Sequence, residues 1–290
     1  MIGIKLDGNL NVPVPYIVYP GGEISINDRF VPIYTEDGPV NVFAKIESSN
    51  DFFSLALLKD ILDRYGIKHI DLELSYVPYA RQDRVIYGKG GNQALSIKVF
   101  ANLLNSLNFS NVYIADPHSA VTPALINNCN VIDRKFLVSS LIENIKSCHD
   151  NIVLVAPDVG ALKSVQEIAE HFKLDYTFAI KKRNPENGHL KIVDIPNIEI
   201  LKDAYMLVLD DIADGGMTFN LLAQYIDRHP NSVPFRKTLY VTHGIFSKGL
   251  DEILKHYDEV ITYNLFDAYS DLRKDIITKQ INGLTSLYRK

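Results

Sequence analysis

An acidic segment that contains two glycines, in the second half of the chain, is the strongest candidate for chemistry. An apolar run ends at Leu209, acids and a turn follow, and Thr218 is placed to cap a helix that begins at Phe219. Backbone N–H groups at a helix start bind phosphate, and carboxylates bind the hydroxyls of a sugar. The segment predicts a site for a phosphorylated ribose, and the alternative is a tight turn with solvated acids. The candidate residues are Asp210, Asp211, Asp214, Gly215, Gly216 and Thr218.

A second candidate site lies in the first half, in the segment 79–84, which reads Tyr-Ala-Arg-Gln-Asp-Arg. The guanidinium forks of Arg81 and Arg84 match phosphate oxygens, and neighbouring tyrosine faces can stack on a purine ring. This combination predicts a nucleoside polyphosphate as ligand. A solvated basic turn is the alternative for this segment.

Three further positions carry groups that suit phosphate chemistry. His118 and Asp158 each follow an apolar run, and Mg²⁺ needs only one or two protein ligands beside phosphate oxygens and water. A lone histidine is more often structural. The basic run 181–183 precedes the turn-rich stretch 184–188, which favours a mobile loop that closes over transferring phosphates. A solvated hairpin is the alternative for that run.

The elements that must position these residues follow from hydrophobic periodicity. Short apolar runs alternate with segments of helical spacing, which predicts an α/β fold with mainly parallel sheets flanked by helices. In such sheets ligands bind beyond the carboxyl ends of the strands, where all the candidate motifs fall. The predicted helices are 52–65, 93–107, 136–145, 161–172, 219–227 and 249–256, and the predicted strands are 70–76, 112–115, 152–156, 176–180, 205–209, 238–242 and 259–263.

Length and composition favour two domains of a soluble enzyme. The chain has 290 residues, of which 47% are hydrophobic and 22% charged. The polar stretch 146–151 predicts a boundary between domains 1–147 and 148–290. The net charge of −5 argues against a nucleic-acid surface, and apolar runs too short for a bilayer argue against a membrane. With no secretion signal apparent and only two unpaired cysteines, we expect a cytoplasmic location.

Taken together and in this order, the motifs resemble the ribose-phosphate diphosphokinase (phosphoribosyl pyrophosphate synthetase) family. The similarity covers most of the chain, and the 79–84 string is its most specific part. It implies two tandem phosphoribosyltransferase-type domains, the last helix packing back on the first domain. The motifs are the segment 79–84, Asp116-Pro117-His118, Pro157-Asp158 with Gly160, the basic run, and the acidic segment 210–218.

The resemblance also implies an activity and its partners. The family transfers the diphosphoryl group of ATP to the C1 hydroxyl of ribose 5-phosphate, with Mg²⁺ as cofactor, and self-association is expected. By resemblance, Arg81 and Gln82 contact ATP, and Tyr19 and Glu23 correspond to an adenine-binding segment supplied across a subunit interface.

The remaining roles are carried over in the same way. His118 and Asp158 resemble the magnesium ligands, the 210–218 segment resembles the ribose-5-phosphate loop, and Lys181 and Arg183 resemble catalytic residues of a flexible loop, with Lys182 as the alternative lysine. Two other functions remain open: a phosphoribosyltransferase that consumes phosphoribosyl pyrophosphate, and a catalytically silent regulatory paralogue.

Overall fold

The chain forms two compact units. The computed structural model describes residues 1–6, 10–31, 39–87, 93–183, 190–266, 276–281 and 284–289. Contacts divide the chain into unit 1, Met1–Ile132, and unit 2, Asp133–Lys290. The division lies before the helix Arg134–Lys146, whereas the sequence prediction placed it after this helix. The reason is that apolar residues of the helix, Val138 and Ile142 among them, pack into a core of unit 2.

Unit 1 is built on a six-stranded sheet in the order β2-β1-β5-β6-β7-β8, in which β5 to β8 are parallel and β1 is antiparallel to both of its neighbours. The strands are β1 (Ile2–Leu6), β2 (Leu10–Pro13), β3 (Tyr16–Val18), β4 (Ile24–Ile26), β5 (Val40–Ala44), β6 (Ile70–Leu74), β7 (Asn111–Ala115) and β8 (Cys129–Ile132), and the helices are α1 (Ser49–Arg64), α2 (Ser96–Asn105) and α3 (Val121–Leu125).

Local sequence explains the first helix and the strand that follows it. Ser48 and Asp51 form a capping box at the start of α1, since the Ser48 hydroxyl accepts from the Asp51 N–H at 3.2 Å and the Asp51 carboxylate accepts from the Ser48 N–H at 2.9 Å. Leu55 and Leu62 share the buried face of this helix. Buried and partly buried residues alternate along β6, as expected for the pleat of a strand.

Unit 2 contains a seven-stranded sheet in the order β10-β9-β13-β14-β15-β17-β16, parallel from β10 to β15 and closed by an antiparallel hairpin. A separate hairpin pairs β11 with β12. No helix in the described residues of either unit is long and apolar enough to cross a membrane. The strands are β9 (Ile152–Ala156), β10 (Asp175–Phe178), β11 (Ile180–Arg183), β12 (Leu190–Asp194), β13 (Tyr205–Ala213), β14 (Arg236–Gly244), β15 (Glu259–Leu265), β16 (Ile276–Ile281) and β17 (Leu284–Arg289), and the helices are α4 (Arg134–Lys146), α5 (Val159–Phe172) and α6 (Met217–Asp227).

The predicted fold class is confirmed, since both units place helices beside largely parallel sheets. One prediction about the C-terminal part is wrong. The segment 249–256 forms turns rather than a helix, although Leu254 and Tyr257 keep isolated N–H bonds to carbonyls four residues earlier, at 2.9 and 3.0 Å. The described C-terminal residues form the hairpin β16–β17, and no final helix is found among them.

Candidate functional site

The acidic segment of unit 2 runs from a buried strand into a helix, as predicted. Strand β13 continues through both acids to Ala213 instead of ending at Leu209, and Asp210 stands in register with Val241 of β14. A bend follows, and α6 begins at Met217 rather than at Phe219.

Gly216, not Thr218, occupies the N-cap of α6. Its φ of +73° favours glycine, and an added β-carbon there would lie only 2.8 Å from Cδ1 of Ile253. No side chain hydrogen-bonds to this cap, so the predicted capping role of Thr218 is wrong, and the residue instead lies in the first turn of the helix. Because the first N–H groups of an α-helix have no partner within the helix, this end suits an anion.

The two adjacent acids are electrostatically linked. The Asp211 N–H donates to Oδ1 of Asp210 at 2.9 Å. Burial raises the pKa of Asp210 well above its ordinary value, and the charge of Asp211 raises that pKa further. The positive charge of Arg134 acts in the opposite direction and lowers the pKa of Asp210.

Arg134 is a residue of this site that the sequence analysis missed. It is the first residue of α4 and only 6% exposed, and its positive charge opposes the rise in the pKa of Asp210. A signal was present in the sequence. A basic residue at a helix start is unfavourable to the helix dipole, so Arg134 directly after the capping residue Asp133 indicates that another group compensates for it.

The raised pKa of Asp210 makes stability depend on pH in a predictable direction. The folded protein binds a proton at Asp210 more tightly than the unfolded chain does, so the free energy of unfolding falls as pH rises above about 4, the ordinary aspartate value, until the raised pKa is passed. Asp210→Asn removes this pH-dependent fall in the free energy of unfolding, because asparagine does not titrate. We expect urea denaturation to show the variant gaining stability relative to wild type as pH increases.

The exposed residue Glu167 of α5 provides the control for this titration. We expect Glu167→Gln to follow the wild-type pH curve closely. Parallel curves for Asp210→Asn and wild type above about pH 4 would show that Asp210 does not carry the shift.

Asp158 and Lys181 are brought together in unit 2. Asp158 follows β9 and caps α5, because its Oδ1 accepts from the N–H groups of Gly160 at 2.8 Å and Ala161 at 3.2 Å. Its Oδ2 forms an ion pair with the Lys181 ammonium. Strand β9 is parallel to β13 and adjacent to it, so this pair and the acidic segment both follow carboxyl ends at one edge of the same sheet.

The basic run does not form a loop in the described residues. Lys181 and Arg183 lie in β11, where Lys181 is paired with Ile192 of β12. The adjoining predicted loop segment 184–188 lies outside the described residues. Alternation along the strand separates Lys181 from Lys182, and the ion pair with Asp158 involves Lys181. This geometry favours Lys181 over Lys182 as the functional lysine.

Asp158 offers a donor suited to a hard cation. Its carboxylate is partly exposed, and Mg²⁺ is typically bound by one or two carboxylates together with substrate phosphates and water. The Asp158 carboxylate would hold such a cation, which would neutralise charge on bound phosphates. The described residues contain no group of three or more His, Cys, Asp or Glu side chains able to hold a metal.

The capping role of Asp158 can be separated from its charge. We expect Asp158→Ala to lower the free energy of unfolding by about 1 kcal/mol, because the cap of α5 is lost, while Asp158→Asn costs less, since asparagine is also a good cap. Urea denaturation measures both variants. Equal losses for the two would show that charge rather than capping sets the stability of this helix start.

The candidate ATP residues of unit 1 lie in loops at one edge of its sheet. Arg81, Gln82 and Arg84 are exposed in the loop after β6, where the Gln82 N–H donates to the Tyr79 carbonyl at 2.8 Å. His118 is exposed in the loop after β7. Because β6 and β7 are parallel neighbours, their carboxyl ends share an edge, and both loops belong to it.

Tyr19 and Glu23 occupy a separate feature of unit 1, the turn between β3 and β4. The Tyr19 N–H donates to the Glu23 carbonyl at 2.8 Å, and Gly22 adopts a φ of +90° within the turn. Ile17, Val18 and Tyr19 are each at least half exposed, so the hairpin presents apolar side chains to its surroundings.

Comparisons with known proteins agree with this architecture. The family of the phosphoribosyl transferase domain matches residues 132–231, a range that begins at the boundary of unit 2. A crystal structure of phosphoribosylpyrophosphate synthetase from Mycobacterium smegmatis aligns with a TM-score of 0.68 at 19% identity, covering 87% of this chain and 80% of that one, and so shows the same fold.

Two relatives are both named ribose-phosphate pyrophosphokinase. The ribose-phosphate pyrophosphokinase of Mycoplasmopsis pulmonis is 26% identical over 261 residues, which is 89% of this chain and 78% of the relative. That of Saccharolobus solfataricus is 27% identical over 214 residues, which is 72% of this chain and 70% of the relative. An alignment that covers 89% of this chain extends beyond single motifs and includes parts of both units. In sequence and in fold, the chain is similar to the ribose-phosphate pyrophosphokinases, also called ribose-phosphate diphosphokinases.

Proposed function

We propose that the protein transfers the diphosphoryl group of ATP to the C1 hydroxyl of ribose 5-phosphate, giving phosphoribosyl pyrophosphate and AMP. The observation that carries the proposal is the segment from Asp210 to Thr218, in which adjacent carboxylates lead through a glycine bend into a helix start. Carboxylates accept hydrogen bonds from vicinal hydroxyls, and helix-start N–H groups bind phosphate. A pentose phosphate presents both groups.

In unit 2 we assign Asp210 and Asp211 to the 2- and 3-hydroxyls of the ribose. The turn formed by Asp214, Gly215 and Gly216, with Thr218, is assigned to the 5-phosphate. Arg134 supports this arrangement because its charge favours the ionised, hydrogen-bond-accepting form of Asp210.

For catalysis we assign Lys181 and Arg183 to the charge that develops on the transferring phosphates. The Lys181 ammonium is held beside Asp158, at the same sheet edge as the acidic segment. Phosphoryl transfer needs positioning and charge neutralisation more than covalent help, and a bound divalent cation adds to that neutralisation. Mg²⁺ fits the Asp158 carboxylate, and His118 is the second proposed ligand.

In unit 1 we assign Arg81, Gln82 and Arg84 to ATP. Exposed guanidinium groups at the carboxyl edge of a parallel sheet suit phosphate oxygens. The apolar hairpin that carries Tyr19 and Glu23 supports the proposal that the protein self-associates and lends this turn to adenine binding in a second copy. We place the enzyme in the cytoplasm, with no nucleic-acid or membrane partner.

The proposed reaction needs no dedicated general base among the residues of the protein. The C1 hydroxyl oxygen attacks the β-phosphorus of ATP, the bond from that phosphorus to the oxygen of the α-phosphate breaks, and AMP leaves. The hydroxyl proton passes to water. Binding and orientation by the residues named above account for the acceleration.

Phosphorus NMR of the purified protein with ATP, Mg²⁺ and ribose 5-phosphate tests the proposal. We expect AMP and phosphoribosyl pyrophosphate to appear in equal amounts, and neither to form without ribose 5-phosphate. A phosphoribosyltransferase would instead release diphosphate from phosphoribosyl pyrophosphate and a nucleobase, with no AMP from ATP. A silent paralogue would leave ATP unchanged, and either result would overturn the assignment.

A further inference from the structure

A lysine far from the acidic segment in sequence lies against its glycine bend. A β-carbon added to Gly215 would lie 3.6 Å from both Cδ and Cε of Lys248. The ammonium of Lys248 is one bond beyond Cε, and the residue is exposed. Within the parts of the chain that the structure describes, this ammonium makes no ion pair or hydrogen bond.

The backbone around Lys248 is fixed to the end of β13. The N–H groups of Ile245 and Phe246 both donate to the Ala213 carbonyl, at 2.8 and 3.0 Å. Phe246 is fully buried with a φ of +47°, and its carbonyl accepts from the Gly249 N–H at 2.7 Å. These bonds and the buried ring hold the base of the lysine beside the bend, while its charged end stays solvated.

A phosphate bound at this acidic bend needs a cation close to it. Three carboxylates, from Asp210, Asp211 and Asp214, lie within or directly before the bend. Each of these acids repels a phosphate dianion when it is ionised, and helix-start N–H groups supply only a partial positive charge. Gly215 has no side chain that could keep a ligand away from the lysine stem.

We propose that Lys248 binds the 5-phosphate of the sugar at the Gly215 bend and selects phosphorylated over unphosphorylated pentose. The inference rests on the proposed function, because it takes ribose 5-phosphate as the ligand of the bend. An ammonium is a point charge that needs no fixed fork geometry to bind a phosphate oxygen.

The test compares Lys248→Met with Lys255→Met by calorimetric titration. Methionine keeps an unbranched stem and removes the charge, and Lys255 is an exposed lysine of the same unit, paired with Glu252. We expect Lys248→Met to weaken the binding of ribose 5-phosphate at least about 10-fold and to leave the binding of ribose unchanged. Lys248→Arg should restore most of the affinity, and Lys255→Met should match wild type.

A second titration, with inorganic phosphate, separates this inference from the proposed function. If wild-type protein fails to bind ribose 5-phosphate, the proposed function is overturned. The titration with inorganic phosphate then tests the role of Lys248 independently of the sugar. Weaker phosphate binding in Lys248→Met supports the inference. Unchanged phosphate and ribose 5-phosphate binding, or an equal loss for ribose and its phosphate, overturns it.

Discussion

Replacing Asp211 with alanine is expected to reduce turnover of ATP and ribose 5-phosphate at least about 100-fold, or roughly 3 kcal/mol in activation free energy. The reason is that a carboxylate which accepts hydrogen bonds from the ribose hydroxyls is lost, and bonds to charged acceptors are among the strongest that proteins form. The measurement is the initial rate of AMP formation with both substrates saturating for the wild-type enzyme.

Folding should survive the Asp211→Ala change, because the residue is only partly buried and its negative charge is unfavourable beside that of Asp210. We expect the unfolding temperature to stay close to the wild-type value or to rise. Glu167→Ala, which removes an exposed carboxylate from α5, is the control and should leave the rate unchanged. A wild-type rate in Asp211→Ala would remove this residue from the site.

Lys181→Ala is expected to have an even larger effect, of the order of 1,000-fold on kcat. Cations that neutralise the transferring phosphates act mainly in the transition state, so the loss should fall on kcat more than on the KM values. Stability should change little, since the ion pair with Asp158 is partly exposed and such pairs contribute only about 0 to 1 kcal/mol.

The adjacent Lys182 is the matched control for this prediction. Lys182 follows Lys181 in β11, and alternation along the strand directs the two side chains apart. We expect Lys182→Ala to keep at least half of the wild-type kcat. A severe loss in Lys182→Ala together with normal rates in Lys181→Ala would reverse the assignment of the catalytic lysine.

Local pattern was sufficient to predict the parallel strands and the positions of the candidate motifs at their ends. Strand β9 agrees with the prediction residue for residue, because a short, wholly apolar run between polar segments has one solution in a parallel sheet. The start of α6 was misplaced because Thr218 has the features of a capping residue, whereas the close approach of Ile253 to Gly216 is visible only in the fold.

The contacts that long-range packing creates could not be predicted from the sequence. The sequence shows Arg134 at an unfavourable helix start, but no spacing rule connects it with Asp210, which lies far along unit 2. Lys248 reaches Gly215 only because the Ala213 carbonyl accepts from the turn after β14. The segment 249–256 was read as a helix from its apolar spacing, but that spacing buries Leu250 and Ile253 equally well from a chain of turns.

The most direct test of the account is a crystal structure of the protein soaked with ribose 5-phosphate alone. We expect the 5-phosphate at the N–H groups that begin α6, with the Lys248 ammonium within about 3 Å of a phosphate oxygen, and the 2- and 3-hydroxyls on Asp210 and Asp211. A sugar phosphate bound elsewhere in unit 2, or a reversed sugar whose phosphate avoids the Gly215 bend, would contradict it.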